Sequence, residues 1–128
     1  MATKTMNLRE MLNEAVEGVE GAYAIGLVGL DGLGVEMVNA DPDNSDDTEA
    51  NEEMAVQMAS LMAAVTKGAS YLGGGKIKDL IVEAQDRTFL ASMVDKEYFL
   101  VLVLNAEASM GRGRFEMRHI INKVRREI

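Results

Sequence analysis

The run Gly73-Gly74-Gly75-Lys76 has residue types that could cradle a phosphate. A phosphate loop needs Gly-x-x-x-x-Gly-Lys-Ser/Thr, so that backbone N–H groups surround the anion and a hydroxyl holds magnesium. Here Ser70 stands at the first glycine position and Ile77 replaces the hydroxyl residue. The run also follows a helical pattern rather than a strand. Gly is common just beyond a helix end, so a helix stop is expected instead. Gly32 and Gly34 begin a dinucleotide-type spacing, but Met37 occupies the third glycine position, which removes support for such a site.

Asp41, Asp43, Ser45, Asp47, Glu49 and Glu52 fall at positions 1, 3, 5, 7, 9 and 12 of a calcium-loop spacing. Position 6 is Asp46, where the loop needs Gly to turn, and a strand pattern rather than a helix precedes it. The expectation is a solvated acidic loop whose carboxylates favour the start of the next helix. His119 is the only histidine, set between Arg118 and Ile120. Proton transfer and nucleophilic attack need positioned partners, and none is identifiable, so His119 reads as a helix-surface residue. Arg112-Gly113-Arg114 could meet a phosphate or an acidic partner, although cations near a helix start oppose its dipole. No catalytic residue, cofactor or metal is expected, and the chain is not read as an enzyme.

The elements follow from periodicity. A first helix is expected from Asn7 to Glu17, with Leu8, Met11, Leu12, Ala15, Val16 and Val19 on one stripe and Asn7 as its cap. Two apolar runs flank Asp31-Gly32, a strong hairpin signal. In the first run Tyr23, Ile25 and Leu27 should face one side, with Ala22, Ala24 and Val28 on the other. A second helix is expected from Glu49 to Leu72. Three short strands follow, in KIKDLIVEA, RTFLASMV and EYFLVLVLN, turning at Gln85-Asp86 and Asp95-Lys96. The last, most apolar, belongs at the centre; the first, carrying Lys78 and Asp79, suits an edge. A final helix spans Ser109 to Glu127. The fold class is α+β with order αββαβββα, one domain over residues 1–128.

The bulk properties bound the function. A net charge of −8 argues against general nucleic-acid binding, which needs a basic footprint. Residues 1–53 carry 13 acidic and 2 basic side chains, whereas residues 54–128 carry 8 acidic and 11 basic. That polarity could steer partners as well as solubilise the surface. There is no cysteine, no apolar run long enough to span a membrane and no apolar leader in MATKTMNLRE. A cytoplasmic protein without membrane insertion is expected.

The second helix carries the strongest functional signal. Met54 to Thr66 is a stretch of 13 residues without a charge. Met54, Met58, Leu61, Met62, Val65, Ala69 and Leu72 fall on one stripe, read as the sheet-facing core. Val56, Ala59, Ser60 and Ala63 lie opposite, where a surface helix would carry Lys and Glu. A helix with no charged face is usually covered on both sides, and in so short a chain the second cover is expected to be another chain. Small residues such as Ala59 and Ala63 would let helices approach closely. A twofold contact must be self-complementary, and an exposed edge strand next in sequence could extend the sheet.

Several segments also resemble the roadblock/dynein light chain family, especially its MglB-type bacterial and archaeal members. They are Val19-Glu20-Gly21-Ala22, Gly29-Leu30-Asp31-Gly32, Ile77-Lys78-Asp79-Leu80-Ile81-Val82-Glu83 and the stretch from Tyr98-Phe99-Leu100 to Gly111-Arg112. The resemblance implies a five-stranded antiparallel sheet with profilin-like layers, the second helix on one face and the terminal helices on the other. It implies dimers made by pairing second helices and joining third strands, acting as platforms for small Ras-like GTPases. The expected interface residues are Val56, Ala59, Ser60, Ala63, Lys67, Ser70, Tyr71, Ile77, Asp79 and Ile81. The expected function is a homodimeric regulator of a Ras-like GTPase. The alternatives are a nucleotide-independent adaptor for a motor or signalling complex, and a small-molecule sensor.

Overall fold

The structure, a computed structural model, describes residues 6–41 and 48–128. Its elements are α1 (Leu8–Glu17), β1 (Ala22–Gly29), β2 (Gly34–Asn39), α2 (Thr48–Tyr71), β3 (Asp79–Glu83), β4 (Arg87–Met93), β5 (Tyr98–Asn105) and α3 (Met110–Glu127). The strands make one antiparallel sheet in the order β2-β1-β5-β4-β3. The α+β fold and its element order are those read from the sequence, with β5 central and β3 at an edge.

Helix ends sit where side chains can satisfy free backbone N–H groups. Asn7 accepts from the N–H of Glu10 at 2.8 Å, and Ser109 accepts from that of Arg112 at 3.1 Å. At the end of α2, Gly73 takes a positive φ of 73°. Gly73 N–H then donates to Ser70 O at 3.2 Å and Gly74 N–H to Ala69 O at 2.8 Å. This paired pattern is a glycine helix stop. The glycine-lysine run therefore terminates a helix and does not precede one.

The hairpin turns where expected, with positive φ at Gly32 but not at Asp31. Instead Asp31 fixes the turn through its carboxylate, which accepts from Leu33 N–H at 3.0 Å.

Two apolar layers fill the faces of the sheet. Leu12 and Val16 of α1 and Met117, Ile120 and Val124 of α3 pack on Ile25, Leu27, Leu100 and Leu102. Ala55, Met58, Ala59 and Met62 of α2 pack on Ala24, Val28, Phe99, Val101 and Val103 from the other side. One expected alternation is corrected here. The register of β1 against β5 shifts between Ala22 and Ala24, so Ala22 joins the α1–α3 side and Tyr23 the α2 side. An inserted residue reverses the facing of everything on one side of it.

The sheet-facing stripe of α2 is also rotated from the one read in the sequence. Ala55 and Ala59 lie against the sheet, whereas Leu61 and Leu72 are exposed. Ala55 packs over Gly34, where an added Cβ would lie at the ordinary contact distance of 3.8 Å from the Ala55 Cβ.

Candidate interaction site

The expected interface residues divide between α2 and β3. Val56, Ser60, Ala63, Lys67 and Ser70 are exposed on α2, and Tyr71 is 81% exposed at its end. Ala59 is the exception: it is 5% exposed and belongs to the core under the helix, which corrects its placement on the outer side. Val56 stands beside the β1–β2 turn, its Cα 3.8 Å from where a Cβ on Gly32 would be. Ala63 and Ser70, seven and fourteen residues on, share that side of the helix. Ile77 precedes β3 and is half-buried against the α2 layer. Asp79 and Ile81 are exposed on the edge strand, and the Asp79 carboxylate accepts from the Ser92 hydroxyl at 2.6 Å.

The structure adds a region that the sequence reading missed. α2 lies chiefly over β1 and β2; on the same face Ala91 of β4 is buried in its cluster, but β3 and the start of β4 are only partly covered. Leu80, Val82 and Phe89 point to this open face and are only half-buried. Between them and α2 runs a groove of about 340 Å³, lined from the helix by Met54, Gln57 and Leu61 and from the sheet by Tyr23, Val82 and Phe89. The Arg87 guanidinium lies over the Tyr23 ring, 3.7 Å from its centroid, and also lines the groove.

The flank of α2 above the groove has a regular pattern. Ala50, Met54, Gln57, Leu61, Ala64, Gly68 and Tyr71 recur at alternating steps of four and three residues. That is the spacing of a helix-pairing seam. It runs beside the core stripe and is only partly used by the chain's own core: Met54 packs against that core, whereas Leu61 is 42% exposed. Its small members, Ala50, Ala64 and Gly68, carry little hydropathy, so spacing rather than apolarity was the available signal.

The residues considered for chemistry sit apart from this region. His119 is exposed on α3 and stacks on Phe115, ring centroids 6.3 Å apart. Arg112 pairs with Glu116 at 2.8 Å and donates through Nε to Gly18 O at 3.1 Å, which ties α3 to the end of α1. Its charge near a helix start is thereby offset by a carboxylate one turn on. Asp43, Ser45, Asp46 and Asp47 of the calcium-like spacing lie outside the described residues. Among the described residues no three His, Cys, Asp or Glu side chains are grouped to hold a metal ion.

The overall fold is shared with solved structures. The Roadblock/LC7 domain of Streptomyces avermitilis superposes with a TM-score of 0.80 at 21% identity, over 94% of this chain and 97% of that one. The chain has the roadblock fold. MglC of Myxococcus xanthus matches this chain with a TM-score of 0.73 at 27% identity, over 96% of it and 100% of MglC. A structure of MglB with tetrameric arrangement matches with a TM-score of 0.81 at 20% identity, over 92% of this chain and 85% of MglB. No family model and no curated protein matches the sequence. The resemblance to roadblock proteins of the MglB and MglC type thus holds in three dimensions. Among the described residues, no helix is long and apolar enough to cross a membrane.

Proposed function

We propose that this chain is a dimeric regulatory or adaptor platform, without catalysis of its own, whose paired α2 helices dock a small Ras-like GTPase. The observation that carries the reading is the second seam on α2, which faces a groove its own sheet leaves open. A second copy supplies what is missing. An antiparallel pairing centred near Leu61 sets Met54 and Gln57 of one seam against Gly68 and Ala64 of the other, with the two Leu61 side chains meeting at the axis. It also brings Glu53 level with the partner's Lys67 on the outer flank of the seam. A parallel pairing would set large against large and leave those charges unmatched. The exposed β3 edge lies beside the groove and extends the sheet across the same twofold axis. That one structural neighbour is an MglB with tetrameric arrangement supports self-association of this fold.

The GTPase is the partner implied by the family resemblance. Pairing creates a continuous two-helix surface, with Ser60, Ala63 and Lys67 of both copies exposed on it. Docking that favours one nucleotide state shifts the GTPase equilibrium only by the difference in affinity between the two states. The test is capture on the tagged chain of Ras-like GTPases loaded with a non-hydrolysable GTP analogue or with GDP. Capture with the analogue alone is expected. Equal capture of both forms would replace the regulatory reading with a constitutive adaptor, and capture of neither would remove the GTPase from the proposal.

A further inference from the structure

On the other side of the sheet, α1 and α3 leave a groove of about 230 Å³. Met11, Ala15 and Ile120 line it together with Phe115, which is 58% exposed. The Phe115 ring is sandwiched along α3: His119 stacks with an interplanar angle of 5°, and the Arg112 guanidinium is 5.2 Å from the ring centroid. An exposed aromatic residue beside an apolar groove, rimmed by charge, is the composition of a protein contact.

The two banks of this groove carry opposite charge. α1 presents Glu10, Glu14 and Glu17, while its one cation, Arg9, is paired with Glu36 of β2. α3 presents Lys123 and Arg126, while its groove-lining carboxylate Glu116 is paired with Arg112, Arg125 donates to Val94 O, and Arg118 lies on the opposite flank beside β3. Glu14 and Lys123 both line the groove, and among the described residues neither has an ion-pair partner. A twofold axis parallel to the helices, midway between them and just outside the layer, would place α1 of each copy over α3 of the other. Acidic bank then meets basic bank twice, and each Phe115 reaches the other copy's groove. An anionic polymer or membrane would suit α3 alone and be repelled by α1, which shares the face. The complementarity fits a second copy of this chain.

We infer that the α1–α3 layer is a second self-association face, joining two chains independently of α2 and building assemblies of four or more where both faces act. The experiment is mass by light scattering at ~50 µM, where an association of micromolar Kd is populated. The wild type is expected at four chains or more, and Phe115→Glu at two. Lys123→Glu should also fall to two, and adding Glu14→Lys to it should restore the larger species. Leu61→Asp, which breaks the α2 seam, should keep a two-chain species through the α1–α3 layer. Unchanged thermal melting of Phe115→Glu checks that folding is intact. A wild type of two chains with a monomeric Leu61→Asp would overturn this inference and leave the α2 dimer standing. A Phe115→Glu mass equal to wild type would overturn it as well.

Discussion

Arg87, the first residue of β4, holds its guanidinium 3.7 Å above the ring of Tyr23 on β1, with β5 running between their strands. The pair closes one end of the groove under α2. It also explains how a cation tolerates a place among Phe89, Val82 and Met54: the ring face supplies negative potential where water is thinned out.

That arrangement predicts a measurable coupling. A double-mutant cycle of Tyr23→Leu and Arg87→Met, followed by urea unfolding at fixed protein concentration, should give about 0.5–1 kcal/mol between the two sites. A coupling of zero would mean that the contact is incidental to folding.

Three substitutions on α2 separate core from contact. Ala59→Glu buries a carboxylate under the helix and should cost at least about 3 kcal/mol, because a buried charge without a partner is expensive. Ala63→Glu, on the exposed side, should change stability by no more than about 0.5 kcal/mol. Leu61→Glu should leave each chain folded but reduce its mass in light scattering. Equal effects at residues 59 and 63 would contradict the observed rotation of the helix.

The sequence discloses most of this architecture because local signals agree with the global fold. Asn7 and Ser109 are cap residues before periodic apolar stripes, and Asp31-Gly32 separates two apolar runs. Where it misleads, a tertiary contact decides. The β1 register shift moves Tyr23 and Ala22 to unexpected faces, and a register shift leaves no mark in hydropathy. Long apolar side chains at Met54 and Leu61 point to the core stripe of α2, but the residues buried against the sheet are Ala55 and Ala59 beside Met58 and Met62. The open face of β3 and β4 depends on how far α2 reaches sideways, which no single segment encodes. The β3 strand begins at Asp79, not at Lys76, although the Lys78 carbonyl already accepts from Met93 N–H at 2.9 Å.

Gly32 tests the hairpin. Its φ of 90° lies where a Cβ is strained, so Gly32→Ala should cost about 1–2 kcal/mol and lower the melting temperature by several degrees. Ser109→Ala, which removes the α3 cap, should cost about 1 kcal/mol. Calorimetry of both variants at one protein concentration checks the pair. A Gly32→Ala protein as stable as wild type would show that the turn readjusts to another type.

The proposed antiparallel pairing of α2 makes a sharper demand on Glu53 and Lys67, the two charges that flank the seam fourteen residues apart. Twofold symmetry repeats their contact, so the dimer contains it twice. Exposed pairs contribute about 0.2–1 kcal/mol each, so Lys67→Glu should weaken dimerisation by up to about thirtyfold at low salt. Most of that loss should vanish near 0.5 M salt, where the screening length falls to about 4 Å. The exchanged protein, Glu53→Lys with Lys67→Glu, should regain wild-type affinity, because antiparallel helices again set opposite charges level. A parallel pairing predicts no such rescue, since each position then lies level with its own copy and exchanging the signs leaves every like-charge contact in place. Sedimentation equilibrium of the single and exchanged proteins at both salt concentrations decides between the two orientations.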